Sequence, residues 1–577
     1  MSELGFSAGF LYYPYMPSIV GKRRGGQTYY YLVESARVDG KPRIVSQQYL
    51  GTAEEVTDKL SGGPAGQPVR CQYKQFGSLA AVWSVIERVG VIEIIDEVVP
   101  RRANAAGSVG TYLALACANR IVAPCSKLGF ADWWATTAGP RWLKLPAAAL
   151  DHRRFWKAMD RLTEADLAVI ETELSARIVA EYGLDLSGLV LDMTNFATYI
   201  DSGNDKAPIA QRGKAKQKRT DLRLVGLGLV VTRDGSIPLL SHTYPGDRPD
   251  VTQFPLMIEQ LTSRFTRLAG GPGDLTLVYD AGQNSATNHE QVEATEIGFV
   301  GSLPPSDHPD LLTIGRTRYR AVDTDRFPGL TYVDTTVTAL GVTRRAVLTH
   351  STSLHAGQSR GFDQTLAKAR QRLSVLADKL ARGKTRRPRT AVEAEISTIC
   401  KPRWLAEVLT TTLTGDQPAD LRLQVTVDTA ARQALETRIF GKRILFTNRD
   451  NWPVADIVAA YRSQSGVEFG FRQLKDPHTV SFSPMHHWTD QKIRVHVFYT
   501  VLALTIAHLM RRTCEHTGLH LSVRELTNEL AGIGETVLLH HDGGKGRPRA
   551  QRLLTDMTDT QHRLYDLFGL DHYAPTR

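Results

Sequence analysis

Two short apolar runs, each ending in an aspartate, constrain this chain more than any other feature. In 188-GLVLDMTNF-196 the run Leu189–Leu191 leads into Asp192, and in 275-LTLVYD-280 the run leads into Asp280. Between them lie a basic, Gly-containing loop (211-QRGKAKQKRTDLR-223), an apolar strand (224-LVGLGLVVT-232) and a turn at Asp234–Gly235. A second strand (236-SIPLLSHTY-244) and a helix at about 251–268 follow. A further short strand, 298-GFVGSLP-304, comes after Asp280. Strand, hairpin, strand, helix, strand is an α/β arrangement rather than a bundle. In open α/β sheets, ligands and catalytic groups collect at the carboxyl ends of strands. A buried strand ending in an acid brings a carboxylate to a rigid, partly dry position, as a metal site requires. Taken alone, each Asp reads more simply as a cap whose oxygen accepts backbone N–H bonds.

A third acid sits in 461-YRSQSGVEFGFRQLK-475. On a helix, Tyr461, Gln464, Arg472 and Lys475 fall within about 40° of Glu468, while Ala460, Val467, Phe471 and Leu474 gather on one flank that would face a core. The plain reading is a surface helix with a Glu468–Arg472 pair worth ~0.3–0.5 kcal/mol. Joined to the two aspartates, Glu468 completes a set of three hard oxygen ligands. Such a set suits two divalent cations that keep open positions for water and phosphate. All three carboxyls would then converge within roughly 4–8 Å. Tyr461, Arg472 and Lys475, on the Glu468 face, would hold substrate phosphates.

At 577 residues the chain is too long for one core. Strands at 28–38 and 43–51 flank a hairpin turn, 39-DGKP-42, and 61-SGGPAGQPV-69 reads as a linker. The stretch from about 75 to 180 is helical in pattern, as in 78–99 and 163–183. Residues 306–435 mix β-type segments (331–340, 345–352) with a long amphipathic helix at 362–381. The strand 442-KRILFTN-448 precedes the Glu468 helix. A helix at 522–532, a strand at 535–541 and a loop at 543–552 end the sequence. Five scattered cysteines with no CxxC pair argue against a disulfide framework or zinc ribbon. No signal peptide is read at the start, and the apolar run 495–510 is short of a membrane span and reads as a buried helix. A cytoplasmic protein without membrane attachment is expected.

The three acid motifs in order, with their flanks, resemble the DDE transposases of bacterial insertion sequences, in the branch with a Tyr–Arg–Glu–Lys signature. Tyr461, Glu468 and Lys475 match that signature, and Gln464 stands where the family has its Arg. The segments 191-LDMTNF-196, 243-TYPGDRPDVTQF-254 and 279-YDAGQNSATN-288 are similar to the family's first-Asp, intervening and second-Asp motifs. The segments 33–51, 108–137 and 487–504 are also similar to one subgroup, so the likeness spans all but about the last 60 residues.

The resemblance implies an α/β fold: an RNase H-like catalytic core interrupted by a β-rich insertion domain, with a β-rich N-terminal domain and an all-helical second domain. The boundaries expected are 1–70, 71–183 (helical, a place for DNA-end recognition), 184–305 and 436–515 (the two parts of the core), 306–435 (insertion) and 516–577. It also implies that Asp192, Asp280 and Glu468 hold two Mg²⁺ ions, with Mn²⁺ able to substitute. The substrate would be double-stranded DNA, the inverted repeats of the element and a target, with a homodimer holding both ends. Alternatives are an RNase H-fold nuclease or resolvase that cuts without joining, and a non-catalytic DNA-binding derivative.

The formal charge of +10 is a modest excess for this length, so clusters matter more than the sum. Candidate DNA contacts are Lys214, Lys216, Lys218 and Arg219 in the loop after Asp192, together with Arg494. His487 and Trp488 are candidates to stack on or bond to DNA, with plain packing as the competing reading. The basic runs 382-RGKTRRPR-389 and 545-KGRPRAQR-552 would add phosphate contacts.

Overall fold

The computed structural model describes residues 16–24, 27–38, 41–53, 68–216, 219, 221–269, 275–384, 386–540 and 549–576. Three strands, β1 (Met16–Arg24), β2 (Gln27–Val38) and β3 (Lys41–Thr52), form an antiparallel sheet. The β2–β3 pair is the expected hairpin, although Asp39 and Gly40 of its turn lie outside the described residues. So does most of the 61–69 linker, whose last two residues open β4 (Pro68–Gln75). The helical stretch follows, but 78–99 is two helices, Gly77–Val89 and Val91–Val98. Gly90 separates them with φ 72°, a left-handed conformation that ends a helix at little cost only in glycine.

The strands carrying the aspartates belong to the largest sheet. They are β5 (Gly188–Thr198), β6 (Arg223–Thr232), β7 (Pro238–Pro245), β8 (Thr276–Val278) and β9 (Gly298–Leu303). Strands β5, β6 and β7 are antiparallel, whereas β5 pairs with β8 and β8 with β9 in parallel. Every residue of β6 is buried, so both faces of the sheet are covered here, and its unbroken apolar run is the sequence signature of that position. The Asp250–Ala269 helix connects β7 to β8.

The insertion differs from its expected form. Strands β10 (Arg320–Ala321), β11 (Leu330–Ala339) and β12 (Val342–Ser351) extend the same sheet. The chain then forms helices Thr352–Ala381, Arg389–Cys400 and Thr429–Ile439 around a single hairpin of β13 (Leu409–Thr414) and β14 (Arg422–Val427). It returns as β15 (Lys442–Thr447), which joins β12 to β9. The nine strands run β10-β11-β12-β15-β9-β8-β5-β6-β7. Residues 306–435 are therefore not a separate β-rich domain. Their Thr- and Val-rich strands continue the central sheet, and most of the remainder is helical.

The last region is not separate either. Strands β16 (Gly534–His540) and β17 (Arg549–Leu554) pair with β4 in the order β17-β16-β4, so the 71–183 region is not all-helical. Arg549–Arg552, expected in a loop, belong to β17, while 541–548 lie outside the described residues. The Asp490–His516 helix is the one described helix long and apolar enough to cross a membrane. It is a core element, with 94% of its most apolar window buried among neighbouring elements. All five cysteines are free.

Candidate active site

Asp192 lies in the middle of β5 and Asp280 two residues beyond the end of β8, its neighbour in the sheet. Asp280 precedes a short 3₁₀ turn without capping it, so the simple capping role fails at this position. Its Oδ1 instead accepts hydrogen bonds from Ser302 Oγ at 2.8 Å and from the Tyr461 hydroxyl at 3.0 Å. Asp192 Oδ1 accepts from the Met193 N–H at 2.7 Å.

The helix with Glu468 is Gln464–Lys475, preceded by Val454–Arg462 with a break at Ser463. The stripe read as one continuous face is therefore split, yet both ends of it reach the aspartates. Tyr461, 6% exposed, touches Asp280, while the Lys475 amine donates to Thr194 Oγ1, two residues beyond Asp192, at 2.6 Å. Glu468 lies between these two anchors in the chain, seven residues from each. Gly466 permits this close seat: a Cβ there would come within 2.1 Å of Ser236 Oγ in the β6–β7 turn.

Electrostatics tie the three acids together. Burial pushes the Asp192 carboxyl up to about 6, and the charges of Asp280 and Glu468 push in the same direction. Lys216 and the Met193 N–H oppose them. Burial lowers Lys475 to about 8, with Lys216 adding repulsion and Asp192 partly compensating. Burial also pushes the Tyr461 hydroxyl up to about 12, which keeps it a proton donor toward Asp280.

As donors, three carboxylates fit a hard divalent cation. Their placement does not form a closed cage: among the described residues, no group of three or more His, Cys, Asp or Glu side chains is gathered to hold a metal ion. The expected convergence is thus incomplete. Asp192 and Asp280 each spend an oxygen on a neighbouring donor, and Glu468 is exposed at the end of a longer side chain. The surface-helix reading fares no better, because Glu468 and Arg472 make no ion pair among the described residues. The Arg472 guanidinium lies 5.5 Å from the Phe469 ring centre.

The other candidates divide. Lys216 reaches Asp250 Oδ2 at 3.1 Å and donates to the Met193 carbonyl, so it sits beside Asp192. Lys214 is exposed, and its carbonyl accepts from Asn195 Nδ2. Lys218 lies outside the described residues. Arg219 is held by both oxygens of Asp221 at 2.8 and 2.6 Å and is not a free cation. Arg494 is also committed, to Glu164 at 3.0 Å and to the Thr243 carbonyl.

His487 is 7% exposed and packs 5.5 Å from the His496 ring. Burial holds its pKa down at about 3, so it is a neutral packing residue closed to DNA. Trp488 is 56% exposed, with the Lys206 amine 5.2 Å from its ring centre, and remains open to a ligand. Gln464, at the family's Arg position, has its amide nitrogen buried without a hydrogen-bond partner. Of the neighbouring arginines, Arg462 lies over the Phe327 ring at 4.7 Å and Arg472 over the Phe469 ring at 5.5 Å.

Sequence reasoning missed Ser302 and Asp250. Ser302 is opposite Asp280 only because β8 and β9 pair Val278 with Val300, a register with no local sequence signal. Asp250 lies inside a quoted motif but gains meaning only through Lys216 and the Tyr244 hydroxyl, which donates to it at 2.8 Å.

No family model and no curated protein matches the chain. Among solved structures it is similar to a piggyBac transposase in a synaptic complex with hairpin DNA. The TM-score is 0.35 and the identity 8%, over 80% of this chain and 82% of that one. A likeness so slight carries no argument about function, which must stand on the site's own geometry.

Proposed function

We propose that this protein is a DDE-type DNA transposase that cleaves the ends of its own element and joins them to a target. The observation that carries the reading is geometric: Tyr461 bonds Asp280 while Lys475 bonds Thr194, two residues beyond Asp192, so the segment between them that carries Glu468 is anchored at both aspartate-bearing strands. Three acids, 88 and 188 residues apart in sequence, thus stand on one strand, just past the end of its neighbour, and on one helix. The strand order β7-β6-β5-β8-β9, antiparallel then parallel, agrees with the RNase H-like core that such enzymes use.

Asp192, Asp280 and Glu468 would together hold Mg²⁺ or Mn²⁺, which supplies activation of the attacking oxygen and neutralises charge on the leaving one. Tyr461 and Ser302 fix the Asp280 carboxylate by donating to one oxygen, leaving the other free. Lys475 and Lys216 flank Asp192 with positive charge on the side a phosphate would approach. Arg472, exposed one turn beyond Glu468, is available to a DNA phosphate. A homodimer holding both ends is part of the same reading.

The test is a plasmid excision assay on the DNA flanking the gene, with and without Mg²⁺. Glu468→Gln is expected to abolish cutting while leaving DNA affinity within about twofold, since it removes a ligand of the metal and not a contact to DNA. Cutting at the wild-type rate by this variant would refute the assignment. Cut ends never found joined to new DNA would make the protein a nuclease of the same fold.

A further inference from the structure

Beyond the carboxylates, one groove gathers positive charge and is lined by no acid. It has a volume of about 610 Å³ and lies between the 312–316 segment and the Thr429–Ile439 helix. Lys442 lines it, and Thr313, Arg316, Gln433, Thr437 and Arg438 complete its polar wall; no acid lines it. Arg438 is satisfied by Glu407. Lys442 and Arg316 have no carboxylate partner among the described residues. Lys442 is only 7% exposed, and its amine donates to a single protein acceptor, the Leu312 carbonyl, at 2.7 Å. An ammonium has three donors, and burying it without a counter-charge is unfavourable. Burial lowers its pKa and Arg316 pushes the same way. His350, paired with Lys442 across β12 and β15, is lowered by burial and by both cations. A bound anion relieves all of these strains together.

The location of the groove says which anion. Lys442 opens β15, which runs antiparallel to β9 with Leu445 opposite Ser302. It therefore lies just past the carboxyl end of β9, the end where Ser302 meets Asp280. Arg443, the next residue, places its guanidinium 5.0 Å from the ring of Tyr461, which also bonds Asp280. Successive strand residues point to opposite faces, so Lys442 faces across the lip of the sheet from Tyr461. Three residues along the strand and two strands across, from β15 over β9 to the end of β8, amount to roughly 14 Å. One DNA strand carries a phosphate about every 3.4 Å of axis, so this is roughly four phosphates from Asp280.

We propose that the Lys442–Arg316 groove binds a backbone phosphate of the substrate DNA, a few nucleotides from the position cut. This inference rests on the transposase reading for its ligand, and its test is independent of cutting. Full-length protein is titrated, without Mg²⁺, against a fluorescein-labelled duplex of roughly 50 base pairs taken from the DNA adjoining the gene, over a range of NaCl concentrations. Arg316→Ala, an exposed change that leaves the fold intact, is expected to lower the slope of log K against log salt by about 0.9 and to weaken binding about tenfold. Lys442→Met is expected to do the same without lowering the melting temperature.

Unchanged slopes in Arg316→Ala overturn the proposal, as does a wild type that binds no duplex at low salt. Inorganic phosphate is the second probe. If it raises the melting temperature of the wild type but not of Lys442→Met, while the duplex slopes stay equal, the groove takes a free phosphate and the DNA assignment is overturned. Unchanged slopes alongside Mg²⁺-dependent cutting would leave the carboxylate site standing. A lowered slope with no cutting would leave the groove standing instead.

Discussion

Replacing Asp192 by asparagine is expected to stabilise the protein near neutral pH while abolishing strand cleavage. The magnitude follows from its carboxyl, which burial and two neighbouring acids raise from 3.8 to about 6. At about 1.4 kcal/mol per pKa unit, holding that carboxylate ionised costs the folded state about 3 kcal/mol. The folded pKa lies above the unfolded one, so between these values the unfolded chain gives up its proton first. The cost is absent well below pH 3.8, grows through that window and is complete above about 6. Asparagine carries no charge, and its amide oxygen can still accept the Met193 N–H. Urea unfolding of wild type and Asp192→Asn should therefore differ by well under 1 kcal/mol at about pH 4 and by about 3 kcal/mol in the variant's favour at about pH 7.5. An advantage that does not grow with pH would refute the reasoning, because Asp192 would then not be held against its neighbours' charge.

Other consequences can be read in parallel. Tyr461→Phe removes one donor from Asp280 and leaves the buried ring in place; cleavage is expected to fall about tenfold or more, with DNA affinity and melting temperature nearly unchanged. Equal loss of binding and cutting would show that the hydroxyl serves the fold and not the carboxylate. Gly466→Ala drives a methyl into Ser236 and should cost about 1–3 kcal/mol in unfolding experiments and displace Glu468. Adding Ser236→Gly at a residue with φ 56° should recover most of both stability and cutting, and failure to recover would disprove the contact as the cause.

The part of the fold most legible in the sequence was β5 to β9. Its strands are apolar runs bounded by turn residues, and in β6 the Val content, the length and the Asp234–Gly235 turn that follows favour a buried strand over a buried helix. What sequence could not supply was partners. β12 announces itself as a strand, but nothing in it says that it will pair with β15, about 95 residues later, and so continue the central sheet. The same limit hid the β4–β16 ladder and made the insertion look like a separate β domain.

Within the candidate site, Asp192 and Asp280 stood out as acids after apolar runs, and Tyr461 and Lys475 by their helical spacing from Glu468 and its resemblance to a family signature. Ser302 was not, since its contact with Asp280 depends on register between strands. His487 and Trp488 show the limit from the other side. They are adjacent in sequence and equally suggestive as aromatic rings near an active helix, and only burial separates the packed one from the open one.

The β17-β16-β4 sheet bears on how the chain comes to be folded during synthesis. Strand β4 leaves the ribosome early, but its ladder partner β16 is about 460 residues further on. At about 5–20 residues per second, that is a wait of roughly 25–90 s with a strand edge unpaired. A nascent chain therefore cannot seat its first half against its last until translation is nearly over. A product stopped short of β16 would carry both aspartates and the Glu468 helix, yet present an open β4 edge to chaperones and proteases in place of a finished sheet.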